Sequence, residues 1–181
     1  MAVGPEPKKE PGKGTGNPVI LCLPGRGAGR ELEALVQRLR RSGREVIVAT
    51  RPLSRHLTGR RCSCLERLTA RLGADRIHWV SVGDSCAESY DTLSAMEGLA
   101  SVTLVEPELP DSEPSHPGRG RVPKLVIEKG KGRRGRRPGA PGRYLGNTLG
   151  PVEVKVLPPE KEEDLPRVVL EFLDRADREE R

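Results

Sequence analysis

The chain has 181 residues, the length of one domain. It carries 32 Lys and Arg against 26 Asp and Glu, a net charge of +6, and with 34% hydrophobic and only 2% aromatic residues any core must be small and aliphatic. No apolar run is long enough to span a bilayer, and MAVGPEPKKEPGKGTGN at the start has no apolar stretch of the kind a secretory leader needs, so the sequence predicts a soluble, cytoplasmic protein.

Residues 1–17 are rich in Pro, Gly and Lys and are expected to form a disordered tail. A single domain is expected over 18–178. Pro18 to Leu23 (PVILCL) predicts a buried strand, followed by the glycine-rich turn Pro24-Gly25-Arg26-Gly27-Ala28-Gly29. Leu32, Leu35, Val36 and Leu39 then recur at helical spacing, and Gly43 closes that helix. Glu45 to Ala49 predicts a second strand, 51–59 a loop, and Leu65, Leu68 and Leu72 a helix ending near Gly73. Ile77 to Val82 (IHWVSV) predicts a third strand, and Gly83-Asp84-Ser85 a tight turn into a helix running to about Glu97. Val102 to Val105 and Lys124 to Ile127 predict the fourth and fifth strands, separated by a Pro- and Gly-rich insert over 107–121. A basic loop follows over 129–143, then one short helix over 144–149 and a sixth strand from Val152 to Leu157. Asp164 and Pro166 signal the start of a last helix, with Val168, Val169, Phe172 and Leu173 as its apolar face.

Strands alternating with helices require right-handed crossovers and a parallel sheet covered on both faces. The expected fold class is therefore α/β: a three-layer αβα sandwich on a mainly parallel sheet of about six strands. The cysteines are Cys22, Cys62, Cys64 and Cys86. Their spacing builds no disulfide framework, and Cys62 and Cys64 are one residue too close for the C-x-x-C metal or redox pattern. The sequence assigns neither a metal nor a cofactor.

The segment that carries chemistry is Ile77-His78-Trp79-Val80-Ser81-Val82-Gly83-Asp84-Ser85-Cys86-Ala87, an apolar strand running straight into G-x-S-x-A and a helix. A sharp turn there holds a serine hydroxyl at the sheet edge. Small neighbours let strand and helix approach, and the helix N-terminus favours negative charge developing nearby. A Gly-x-Ser turn at a strand end also occurs in phosphate-binding and purely structural settings.

In these residues the sequence resembles the α/β-hydrolase family. PVILCLPGRGAGRELEALVQRLRRSGREVIVATRP resembles that family's strand, oxyanion loop, helix and next strand, and DRIHWVSVGDSCAES its nucleophile elbow. GLASVTLVEP, VPKLVIEKG and VEVKVLPPEKEEDLPRVVLEFLD resemble its later strands and last helix, so the resemblance runs over about residues 18–175. It implies a short form, without the first antiparallel hairpin and with little of a cap, whose active edge lies at the C-terminal ends of the strands. It implies Ser85 as nucleophile and the backbone N–H groups of Cys86 and Arg26 as an oxyanion hole. Ala87 replaces the last glycine of the elbow, and Pro24-Gly25 stands where the family often has His-Gly.

The rest of the triad departs from the family pattern. No Asp occupies the stretch after KLVI, and no histidine follows His116. A serine needs a base to become a nucleophile. Glu106 at the end of the fourth strand and His116 in the following insert keep the family's chain order with Ser85, and form the candidate substitute. His56, after the second strand, is another candidate base. His78 lies inside a strand, where a structural role is expected.

The run Lys129 to Arg143 contains no acidic residue after Lys129 and no aromatic one. It reads first as a solvated loop, and secondly as a contact for nucleic acid or another polyanion. The acidic Glu160 to Asp164 reads as a complement to the dipole of the last helix. Two functions are therefore expected. One is a serine hydrolase of the esterase or acyl-hydrolase type acting on a small acyl or ester substrate. The other is a non-catalytic binding protein on the same scaffold. An uncapped sheet edge would favour pairing of copies, although the sequence fixes no oligomeric state.

Overall fold

The computed structural model describes residues 17–22, 30–49, 74–83, 85–86, 98–107, 122–129 and 152–179. Six strands lie among them: β1 (Val19–Cys22), β2 (Val46–Ala49), β3 (Ile77–Val82), β4 (Leu99–Val105), β5 (Lys124–Lys129) and β6 (Val152–Leu157). They form one sheet in the order β2-β1-β3-β4-β5-β6, and every pairing is parallel. β3 and β4 are buried at every position, as central strands covered on both faces must be. This is the expected sheet of an αβα sandwich.

Two helices cover one face. α1 (Arg30–Arg41) turns Leu32, Leu35 and Leu39 inward, and α2 (Leu165–Glu179) turns in Leu165, Val168, Val169, Phe172 and Leu173. They meet Leu21, Val80, Val105, Leu125 and Ile127 from alternate positions of the strands in one aliphatic cluster. α1 ends as its sequence predicts. Gly43 takes φ 83°, its N–H donates to the Arg40 carbonyl at 3.0 Å, and the Arg44 N–H donates to the Leu39 carbonyl at 3.3 Å. This is the paired closure that a left-handed glycine makes available.

That closure delivers Arg44 into the interior, where its side chain is 2% exposed. Its guanidinium donates to Asp174 at 2.7 Å, to Asp177 at 2.6 Å and to the Asn17 carbonyl at 3.1 Å. The Asp177 carboxylate also accepts from His78 Nε2 at 3.1 Å and from the Asn17 amide at 2.8 Å. His78 Nδ1 meets the Ser101 hydroxyl at 2.8 Å. Burial alone would raise the Asp177 carboxyl, but hydrogen bonds and charge from His78 and Arg44 outweigh it and hold the group well below the usual carboxylate range. The network fastens α2 to the N-terminal ends of β3 and β4. Asn17, the last residue of the expected tail, takes part in it.

Some boundaries move. β4 starts at Leu99, ahead of the expected Val102: Leu99 pairs with Ile77 and Ser101 with His78, and the register shifts at Ala100 between them. Gly98 opens it with φ 85°. The acidic stretch before the last helix forms a 3₁₀ segment, Pro159–Asp164, from which the Asp164 carboxylate accepts a bond from Arg167 at 3.3 Å. β5 runs on past the expected Ile127 to Lys129, the first residue of the expected basic loop. The expected helices over 65–72 and 144–149, the helix after Ser85 beyond Cys86, the insert over 107–121 beyond its first residue, and the rest of the basic loop lie outside the described residues.

Candidate active-site edge

In the sheet the chain passes from β1 outward to β2, then returns to the other side of β1 for β3. The order therefore reverses between β1 and β3. Open α/β sheets bind ligands beyond the C-terminal ends of the strands at such a reversal. Ser85 follows β3 at this place.

The turn is built on Gly83, whose φ of 61° is left-handed. The Gly83 N–H donates to the Val105 carbonyl at 2.9 Å and keeps the turn on β4, and the Cys86 N–H donates to the Gly83 carbonyl at 3.2 Å. Cys86 is fully buried, with its thiol 3.8 Å from the Val105 carbonyl. Its small side chain allows the close approach of turn and sheet.

Ser85 is 8% exposed. Its Oγ accepts the Val82 N–H at 2.9 Å and donates to the Val82 carbonyl at 2.7 Å. The His78 N–H donates to Pro18 in front of β1, so the amides of Val80 and Val82 face β1 as well. Among the described residues the β1–β3 pairing runs to Cys22 opposite Ser81. The serine hydroxyl bonds back to the last residue of β3. It closes the strand end, and both its donor and an acceptor lone pair are engaged there.

Glu106 stands at the end of β4, the neighbour of β3, with an exposed side chain. Its N–H donates to the Ile127 carbonyl at 2.7 Å, and its φ of 48° is the one left-handed non-glycine value among the described residues. Ser85, Cys86 and Glu106 thus share the C-terminal edge of two adjacent strands. Arg26, His56 and His116 lie outside the described residues.

His78 has the structural role expected of it. It is fully buried, and the four strand steps to Val82 span about 13 Å, so its ring is remote from Ser85. Ser101, His78 and Asp177 are a serine, a histidine and an aspartate in contact, a grouping the sequence did not reveal. Ser101 is wholly buried as well, and the group sits at the opposite end of the strands from Ser85. It is an anchor. The traceable signal was Asp174 and Asp177 flanking the apolar stripe of α2 one turn apart.

Lys124 was also not foreseen. It opens β5 with its ammonium donating to the Val122 carbonyl at 2.6 Å, and burial lowers its pKa from 10.5 to about 8. Among the described residues no three His, Cys, Asp or Glu are grouped to hold a metal ion, and no helix is long and apolar enough to cross a membrane.

No protein-family model and no curated protein matches the sequence. Solved structures do match in shape. Proline iminopeptidase from Mycobacterium smegmatis is 12% identical, with a TM-score of 0.57 over 91% of each chain. A CIB-like hydrolase from Thermoplasma acidophilum is 13% identical, with a TM-score of 0.63 over 88% of this chain and 87% of that one. Est1E from Butyrivibrio proteoclasticus is 12% identical, with a TM-score of 0.62 over 91% of this chain and 90% of that one. Identities this low speak to the fold alone. With the parallel strand order and the serine turn at its reversal point, they establish that this chain has the fold of the α/β-hydrolase superfamily.

Proposed function

We propose that the protein is a serine hydrolase of the esterase or acyl-hydrolase type with Ser85 as its nucleophile. The observation that carries this reading is the position of Ser85, directly after a buried parallel strand at the reversal point of the sheet. Its hydroxyl, turned from Val82, attacks the carbonyl of a small ester. The ester C–O bond breaks, the alcohol leaves with the serine's proton and an acyl-enzyme forms; water then attacks it and releases the acid. The N–H groups of Cys86, released from the Gly83 carbonyl, and of Arg26 hold the oxyanion. Glu106 and His116 supply acid and base, with His56 as the alternative base. The left-handed backbone of Glu106 supports its role, because such strain gathers at functional edges. A fluorophosphonate probe tests the proposal: it labels the wild type and not Ser85→Ala. A folded wild type that takes no label rejects it.

A second reading rests on the two bonds between Ser85 and Val82. A hydroxyl engaged in that way can serve the turn alone, leaving a non-catalytic binding protein on a hydrolase scaffold. The basic run would then hold a polyanion by releasing counterions. Retention on DNA that falls steeply with salt and disappears on deletion of residues 130–143, which spares β5, supports this reading. Salt-insensitive or absent retention ends it.

A further inference from the structure

β6 ends the sheet among the described residues. A terminal strand offers a row of backbone donors and acceptors that another strand can pair with. The sequence of β6 is V-E-V-K-V-L. Val154 and Val156 are 38% and 48% exposed, the two exposed large hydrophobic residues among those described. They share one face. Glu153 and Lys155 share the other, where they pair with each other at 3.3 Å and Glu153 also meets Arg175 of α2.

A second copy of β6, turned about a two-fold axis normal to the sheet at Val154, runs antiparallel to the first. Val154 then faces Val154, Val152 faces Val156, and Glu153 faces Lys155 in both directions. Every one of these pairs is apolar on apolar or of opposite charge, the two kinds that stabilise an antiparallel ladder. Centring the axis one residue earlier sets Glu153 against Glu153, and one residue later sets Lys155 against Lys155. Like charges directly opposite one another are destabilising. The strand is therefore self-complementary in one register, as an isologous interface requires.

We propose that β6 is the interface of a homodimer in which the sheet continues from one copy into the next, with α2 of both on the same face. The full-length protein tests this by sedimentation over a range of concentrations. The wild type goes from the monomer mass to twice that mass. Lys155→Glu alone and Glu153→Lys alone each stay monomeric, and a mixture of the two recovers the dimer, because each strand then faces its opposite. Circular dichroism reports that the variants fold. Val154→Lys, which sets two ammonium groups on the axis, gives a second monomeric variant at an exposed position. A wild type that remains monomeric at every concentration overturns the proposal. So does a dimer that persists through the charge reversals, since it must use another surface.

Discussion

Arg44 and Asp177 meet at 2.6 Å in the protein interior, joining the turn that closes α1 to the last turns of α2 across 133 positions of sequence. The arginine is all but inaccessible and the aspartate is shared with His78. A buried charge is tolerated only with partners, so the two side chains bind the end of the chain to its beginning.

Removing one partner therefore costs more than an ordinary surface change. Asp177→Ala is expected to lower the free energy of unfolding by about 3 kcal/mol. Arg44→Met, which removes the charge that needs a partner, should cost less, though it still strands Asp177 beside His78. Urea denaturation of the variants gives the comparison.

The same carboxylate sets an acid limit. Asp177 titrates well below its ordinary value in the folded protein, so below about pH 4 the unfolded chain takes up its proton first. The stabilisation it contributes is complete above that pH and is lost as pH falls through the folded value. Asp177→Asn should flatten this part of the stability–pH curve.

Lys124 behaves in the opposite sense. Its ammonium is disfavoured in the folded state, with a pKa near 8 against 10.5. Between those values the unfolded chain holds the proton and the folded chain does not, so stability rises with pH across that window. Lys124→Met should remove the rise. Thermal melts of both proteins from pH 7 to 10 decide it.

At the serine edge, stability and chemistry separate. Ser85→Ala leaves the Val82 amide and carbonyl without their hydroxyl partner and is expected to cost about 1–3 kcal/mol, together with all probe labelling. Glu106→Gly relieves a left-handed φ worth about 1–2 kcal/mol, which the greater freedom of glycine in the unfolded chain offsets in part, so stability should hold or rise slightly while hydrolysis falls. Ester turnover and melting temperature, measured on the same samples, resolve the two effects.

Gly98→Ala tests the opening of β4. With φ at 85° and a new Cβ 3.1 Å from the Asp75 carbonyl, the substitution is strained in conformation and in space. A loss of about 1–2 kcal/mol is expected, readable as a lower urea midpoint.

The parallel sheet was legible because IHWVSV and KLVI are apolar runs between breakers, and such runs suit strands buried on both faces. The start of β4 was less legible, since Ala100 and Ser101 carry little hydrophobic signal and the register with β3 shifts at Ala100. Ser85 stood out from the glycine two positions earlier. The closure of its hydroxyl on Val82 did not, because it is a turn bond three residues back along the chain that no residue pattern marks. The Arg44 network was hidden for another reason. Its members come from α2, two strands, the turn after α1 and the residues leading into β1, and no local pattern links them.

Cys86 gives the serine turn a built-in reporter. Its thiol is sealed beneath the backbone that presents Ser85, so an alkylating reagent can reach it only when that turn lifts from β4. In a protein whose other three cysteines are replaced by serine, the alkylation rate of Cys86 counts those opening events. A substrate or inhibitor seated over Ser85 would slow the count, and so make binding visible without any turnover.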